Sequence, residues 1–126
     1  MKFLPILAPV IAVLGLAACS QPAVQAPTAA LSQRVSTLSP NPCSDKTASA
    51  LAGAGVTADQ VDSIYYQPIM GGIDQDQLVG YMAWTRLRSQ PGHLITDMET
   101  DELGSYCRVR TVYTRGGLEL AGVPSF

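Results

Sequence analysis

Hydrophobic and polar positions divide the chain into three stretches of different character. Met1-Lys2 supplies one positive charge, and Phe3 to Ala18 then runs without a charged residue. A short basic start, an apolar run and small residues before a cut are the layout of a secretory leader, so residues 1–18 are expected to direct export and then be removed. The run falls short of the roughly 20 apolar residues that cross a bilayer. It also contains Pro5 and Pro9, and the Ser20-Gln21-Pro22 flank lacks basic stop-transfer residues. A permanent span is not expected. Residues 20–42 are mostly Ala, Pro, Gln, Ser and Thr, a composition that buries too little apolar surface to offset its ordering entropy. Residues 19–42 are therefore expected to form an extended or disordered linker. Leu31, Val35 and Leu38 recur within it at helical spacing, a faint stripe in poor surroundings.

From Cys43 onward the pattern is that of a folded domain, 43–126. Ser44 suits a helix N-cap, with Asp45 in the first turn where a carboxylate favours the helix dipole. Thr47, Ala50, Leu51 and Ala54 fall on one helical face, and Gly55 suits a left-handed C-terminal cap. These residues predict a short helix over 45–54. Thr57 and Gln60 have the spacing of a capping box, enough for one more helical turn. Strand patterns follow at 61–67, 78–88, 93–98, 106–113 and 118–123. Turn residues separate them at Gly71-Gly72, Gln90-Pro91-Gly92 and Thr114-Arg115-Gly116-Gly117. Connections this short favour antiparallel neighbours. One helix followed by about five strands predicts a two-layer α+β domain with one face of a mainly antiparallel sheet buried.

Composition changes this picture in one respect. The formal net charge of −2 points to no nucleic-acid partner, and the 47% apolar content is inflated by the leader. Three cysteines, however, is an odd number that requires an explanation. The end of the leader, Leu16-Ala17-Ala18-Cys19, resembles the lipobox of bacterial lipoproteins. The resemblance covers these positions alone. It implies that Cys19 is linked to diacylglycerol by prolipoprotein diacylglyceryl transferase and becomes the mature N-terminus after lipoprotein signal peptidase cuts behind Ala18. The domain would then be held to a membrane by lipid, and Ser20 rather than Asp after the cysteine favours the outer membrane, facing the periplasm. Two or more acyl chains anchor firmly where one does not.

Cys43 and Cys107 are left as a pair in an oxidising compartment, where paired thiols become disulfides. A bond closing the loop from 43 to 107 is worth about 4 kcal/mol by the chain-entropy argument, a large share for so small a domain. A metal site or redox-active thiol is the alternative, but no CxxC spacing is present and no His or third thiol lies near either residue in sequence.

Strand alternation gives the candidate site. If Cys107 points inward, Val109, Thr111 and Tyr113 share its face and Tyr106, Arg108 and Arg110 face away. On the 78–88 strand Val79, Tyr81, Ala83, Thr85 and Leu87 form one face, and Met82, Trp84, Arg86 and Arg88 the other. Were the two strands neighbours, Trp84, Arg86, Arg88, Tyr106, Arg108 and Arg110 would make one cationic, aromatic surface. Such a surface suits anionic envelope polymers or an envelope protein, because arginine forks bind carboxylate and phosphate bidentately. The plainer reading is a solvated face whose arginines pair with Asp and Glu across strands. His93 is expected to be solvent-exposed in its Pro-Gly-His turn. The acidic run Asp97, Glu99, Asp101, Glu102 lacks the glycine and distal glutamate of a calcium loop. Asp74 and Asp76 read as a solubilising loop. No catalytic residue, metal ligand or cofactor is assigned. The expectation is a non-enzymatic structural or interaction module anchored in the envelope; the alternative is a small lipid-anchored enzyme or inhibitor acting on envelope polymers.

Overall fold

The computed structural model describes residues 24–126; the expected leader, Cys19 and the start of the expected linker lie outside the described residues. The first helix, α1 (Ala29–Leu38), falls inside the stretch read as linker, and this corrects that reading. Thr28 caps it by accepting a hydrogen bond from the Leu31 N–H at 3.2 Å. Leu31 and Val35, one turn apart, are buried at 2% and 0% exposure. The composition argument failed because it counted apolar residues without their placement. Two fully buried side chains on one stripe, with Leu38 packed behind them, suffice once a partner surface exists. Arg34 adds a tie to the sheet, donating from Nε and Nη2 to the Val61 carbonyl at 3.3 and 3.1 Å.

Helix α2 (Ser44–Gly53) begins one residue earlier than expected, and Ser44 is not its cap. Cys43 occupies that position. Its N–H is satisfied by Asn41 Oδ1 at 2.8 Å, while Ser44 Oγ accepts from the Asn41 N–H at 3.1 Å. The other end is as the sequence predicts: Gly55 adopts φ +76°, and the Val56 N–H closes on the Leu51 carbonyl at 2.9 Å. Thr47, Ala48, Ala50 and Leu51 are all fully buried, so small side chains let α2 lie close to its neighbours. A single 3-10 turn (Ala58–Gln60) follows, with Gln60 Oε1 accepting from the Thr57 N–H at 2.8 Å as the capping-box spacing implies.

The sheet has four strands, β1 (Val61–Gly71), β2 (Gln77–Leu87), β3 (His93–Thr100) and β4 (Cys107–Arg115), in the order β1-β2-β3-β4. Every neighbouring pair is antiparallel. The fold is thus α+β, as expected, with two α-helices rather than one and four strands rather than five among the described residues. The expected fifth strand, 118–123, is irregular. Gly116 and Gly117 at φ +72° and +91° turn the chain away from the sheet, and Leu118 plugs the core at 1% exposure. The tail returns only briefly: Pro124 O accepts from the Thr114 N–H and the Phe126 N–H donates to Thr114 O, at 2.8 and 2.9 Å. Sequence alternation could not see this, because one buried leucine fills a gap as well as a strand would.

The inner face of the sheet meets both helices. Ile64, Ala83, Leu94 and Met98 join Leu31, Val35, Leu51 and Leu118 in one core. The Tyr66 phenol reaches across from β1 to donate to Thr47 Oγ1 on α2 at 3.0 Å. Gly80 is required on β2, since a Cβ there would sit 2.2 Å from the Met98 carbonyl oxygen. The Cys43–Cys107 disulfide is present, with Cα atoms 5.5 Å apart and a sequence separation of 64. It joins the start of α2 to the start of β4, an edge strand. Alkylation of the folded protein without reductant should therefore modify neither cysteine, and Cys107→Ser should cost about 2–5 kcal/mol of stability, read as a fall in the thermal midpoint.

Candidate functional site

Among the described residues the helices cover one face of the sheet, and the chemistry open to a partner is on the other. Its composition follows from a bulge. Between β3 and β4, Asp97 pairs with Thr111 but Met98 pairs with Val109, leaving Arg110 as the extra residue. Beyond it the strand's phase reverses. Cys107 and Val109 face the helices as expected; thereafter Val112 and Thr114 turn inward, Thr114 to full burial, and Thr111 is exposed. The expectation that Thr111 and Tyr113 share the face of Cys107 is thereby overturned. Val109 and Val112 are an odd number of residues apart, and only a bulge lets both reach one core. That spacing was the available signal.

Tyr113 consequently joins the outer face. The register lines up Tyr65, Trp84, Ile95 and Tyr113 in a single row across all four strands. Ile95 is fully buried although it lies on the side away from the helices, because Trp84 and Tyr113 flank it. Phe126 stacks edge-on against Tyr113 with ring centroids 5.4 Å apart. Trp84 donates from Nε1 to Gln67 Oε1 at 3.2 Å. The Arg115 guanidinium lies 6.0 Å from the Trp84 ring centroid. His93 packs edge-on against the same ring at 5.6 Å, so it is half-buried rather than the exposed turn residue expected. Sequence reasoning singled out Trp84 and missed Tyr65, Tyr113, Arg115 and Phe126. All four come from strands or a tail whose placement only the tertiary register defines.

The predicted arginine face is divided. Arg86 is exposed on β2, next to the Trp84 row, with no acidic partner in ion-pair contact among the described residues. Arg88 lies past the end of β2. Its N–H donates to the Gln60 carbonyl at 2.9 Å, beside the 3-10 turn rather than the aromatic row. There Asp59 is held below its usual pKa, chiefly by the Thr57 hydroxyl and in smaller part by the Arg88 charge. Arg110 pairs with Asp97 at 3.1 Å, and Arg108 pairs with Glu99. Tyr106, 46% exposed, donates to the same Glu99 from its hydroxyl at 3.3 Å. The hydrogen bond from Arg108 keeps the Glu99 carboxyl below the ordinary carboxylate value. Arg108 and Arg110 thus each make a cross-strand ion pair of the kind the plainer reading expects.

Three of the four residues of the acidic run are engaged within the fold, and Glu102 is exposed. Asp97 and Glu99 face arginines, and Asp101 Oδ1 accepts from the Ser105 N–H at 2.8 Å. Among the described residues no three of His, Cys, Asp and Glu come together as a metal-holding group. A shallow groove of about 410 Å³ lies at the sheet edge, between residues 24–26, Lys46 and Ser49 of α2, and the start of β4. No described helix is long and apolar enough to cross a membrane. No known protein family, curated protein or solved structure matches the chain.

The covered position of Ile95 separates packing from charge on this face. Ile95→Ala should cost about 2–5 kcal/mol, the usual range for emptying a buried aliphatic site. Arg110→Ser should cost less than about 1 kcal/mol, as solvent-exposed ion pairs do. Urea unfolding of both variants checks the difference.

Proposed function

We propose that the protein is a lipid-anchored envelope lipoprotein whose domain is a non-enzymatic binding module for an anionic envelope glycan. The observation that supports the reading best is the aromatic row Tyr65, Trp84, Ile95, Tyr113 on the open sheet face, with Arg86 and Arg115 beside Trp84. Aromatic faces give sugar rings a flat apolar surface, and guanidinium groups receive carboxylates. The site is thereby narrower than the six-residue surface predicted from alternation. Arg108 and Arg110 are occupied by Glu99 and Asp97, so their contribution is small. The lipobox at Leu16-Ala17-Ala18-Cys19 supports the anchor, and Ser20 supports placement in the outer membrane, facing the periplasm.

Two measurements test this. Cells fed a fatty-acid probe should label the protein, and Cys19→Ser should abolish both label and processing; an unlabelled wild-type protein rules out the anchor. For the glycan, a soluble chain starting at Ser20 is needed, since α1 is part of the fold. It should co-sediment with peptidoglycan-type polymer carrying free carboxylates, and salt should weaken the binding because exposed charges are screened over about 8 Å at physiological ionic strength. Trp84→Ala and Arg86→Ser should each reduce binding severalfold, with Arg108→Ser nearly neutral and the Arg86→Ser unfolding free energy within about 0.5 kcal/mol of wild type. Equal binding by all three variants would refute the assigned face.

A further inference from the structure

The two most exposed aliphatic side chains sit at one end of the sheet. Ile73 in the β1–β2 connection is 102% exposed, and Leu103 in the β3–β4 connection is 90% exposed. In a four-stranded antiparallel meander the first and third connections lie at the same end, so both loops project together. Behind them stand Met70 and Tyr106, at 42% and 46% exposure, where their strands meet the loops. An isolated exposed aliphatic residue is ordinary on a protein surface. Two that protrude almost wholly from adjacent loop tips, with a tyrosine set back from them, match the layering of a bilayer interface. There aliphatic groups enter the acyl region and tyrosines sit at headgroup level.

The path of the chain supplies the second observation. Val24, the first described residue, lines the groove with Lys46 and with Cys107, Arg108 and Val109. Cys107 begins β4, directly after the Leu103 loop, and a Cβ on Gly104 of that loop would lie 3.1 Å from Pro42. The Gln25 N–H bonds the Ser49 carbonyl at 3.1 Å, so going backward from α1 the chain runs toward the start of α2 and the loop end. Four residues separate Val24 from Cys19, which makes five steps along the chain. At no more than 3.6 Å per step these reach about 18 Å. By the register Val109 is level with Met98 and Tyr81, so along the sheet the loop end of β2 at Gln77 lies about 13 Å away and the other end at Leu87 about 20 Å.

From these two observations we infer that the loop end of the sheet is a membrane-docking surface, with Ile73 and Leu103 entering a phospholipid bilayer; this rests on acylation of Cys19. Asp74, Asp76, Asp101 and Glu102 in the same loops oppose anionic headgroups, so the surface fits zwitterionic lipid. Two aliphatic side chains would not hold a free protein on a membrane. A short tether makes docking intramolecular, at an effective concentration on the order of millimolar. The sheet then stands on its end, and the aromatic face points sideways into the space beside the membrane.

The test uses full-length acylated protein in phosphatidylcholine–phosphatidylethanolamine vesicles. Ile73→Cys, Leu103→Cys and, at the opposite end, Ser89→Cys are each labelled with a nitroxide after the native disulfide has formed. Relative to the same chain from Ser20 without lipid, labels at 73 and 103 should lose accessibility to a water-soluble nickel chelate severalfold and gain it to oxygen. Position 89 should not change, and anionic lipid should weaken the effect. Equal nickel accessibility at 73, 103 and 89 in protein shown by mass to be acylated would overturn the docking surface and leave the lipoprotein reading intact. Shielding in native envelopes but not in vesicles would overturn it in favour of a protein partner. A purified protein without acyl chains would end both.

Discussion

Everything in this domain depends on burying one face of a four-stranded sheet with very little chain. A sheet is stable only when at least one side is removed from water, and a small domain has little apolar surface to do it with. Here the cover is two ten-residue helices. α2 contributes mainly Ala, Thr and a single Leu, so it gains by lying close rather than by filling volume. α1 supplies the larger side chains, Leu31 and Val35, and Arg34 locks it to the carbonyl of Val61. The disulfide then holds the junction of α2 and β4, where the helix layer would otherwise separate most readily from an edge strand.

Among the described residues the opposite face has no second layer and protects itself locally. Ile95, at its centre, is covered by the rings in register with it. Along the β3–β4 ladder, ion pairs and a tyrosine hydroxyl satisfy the charges instead. The result is a face of two parts. One is neutralised and close to the loop end; the other, around Trp84, is aromatic and carries cations without carboxylate partners among the described residues.

That division suits a tethered binding module. If Cys19 carries lipid, the position of Val24 beside the start of β4 would set which way the sheet stands relative to a membrane. The aromatic part is then displayed away from the anchor. Rigid strands position its rings more firmly than loops would, so recognition by this face requires little ordering on binding.

The sequence by itself determined the local elements: the α2 stripe with its Gly55 cap, the Thr57–Gln60 turn, the alternation of β2 and the pairing of the two domain cysteines. Each depends on neighbours a few residues apart, or on there being just one possible partner. Trp84 and Arg86 were legible as outward residues for the same reason. Three features were decided only in the tertiary structure. Helix α1 forms because Leu31 and Val35 find an apolar surface; the faint stripe at 31, 35 and 38 is too thin by itself to announce that partner. The segment after Gly117 is not a strand, because Leu118 is already used as a core plug. The bulge at Arg110 sends Tyr113 outward and Thr114 inward, because core packing on both sides of it outweighs strict alternation. A period-two pattern carries no information about where a strand slips, so the composition of the candidate face became visible only with the register.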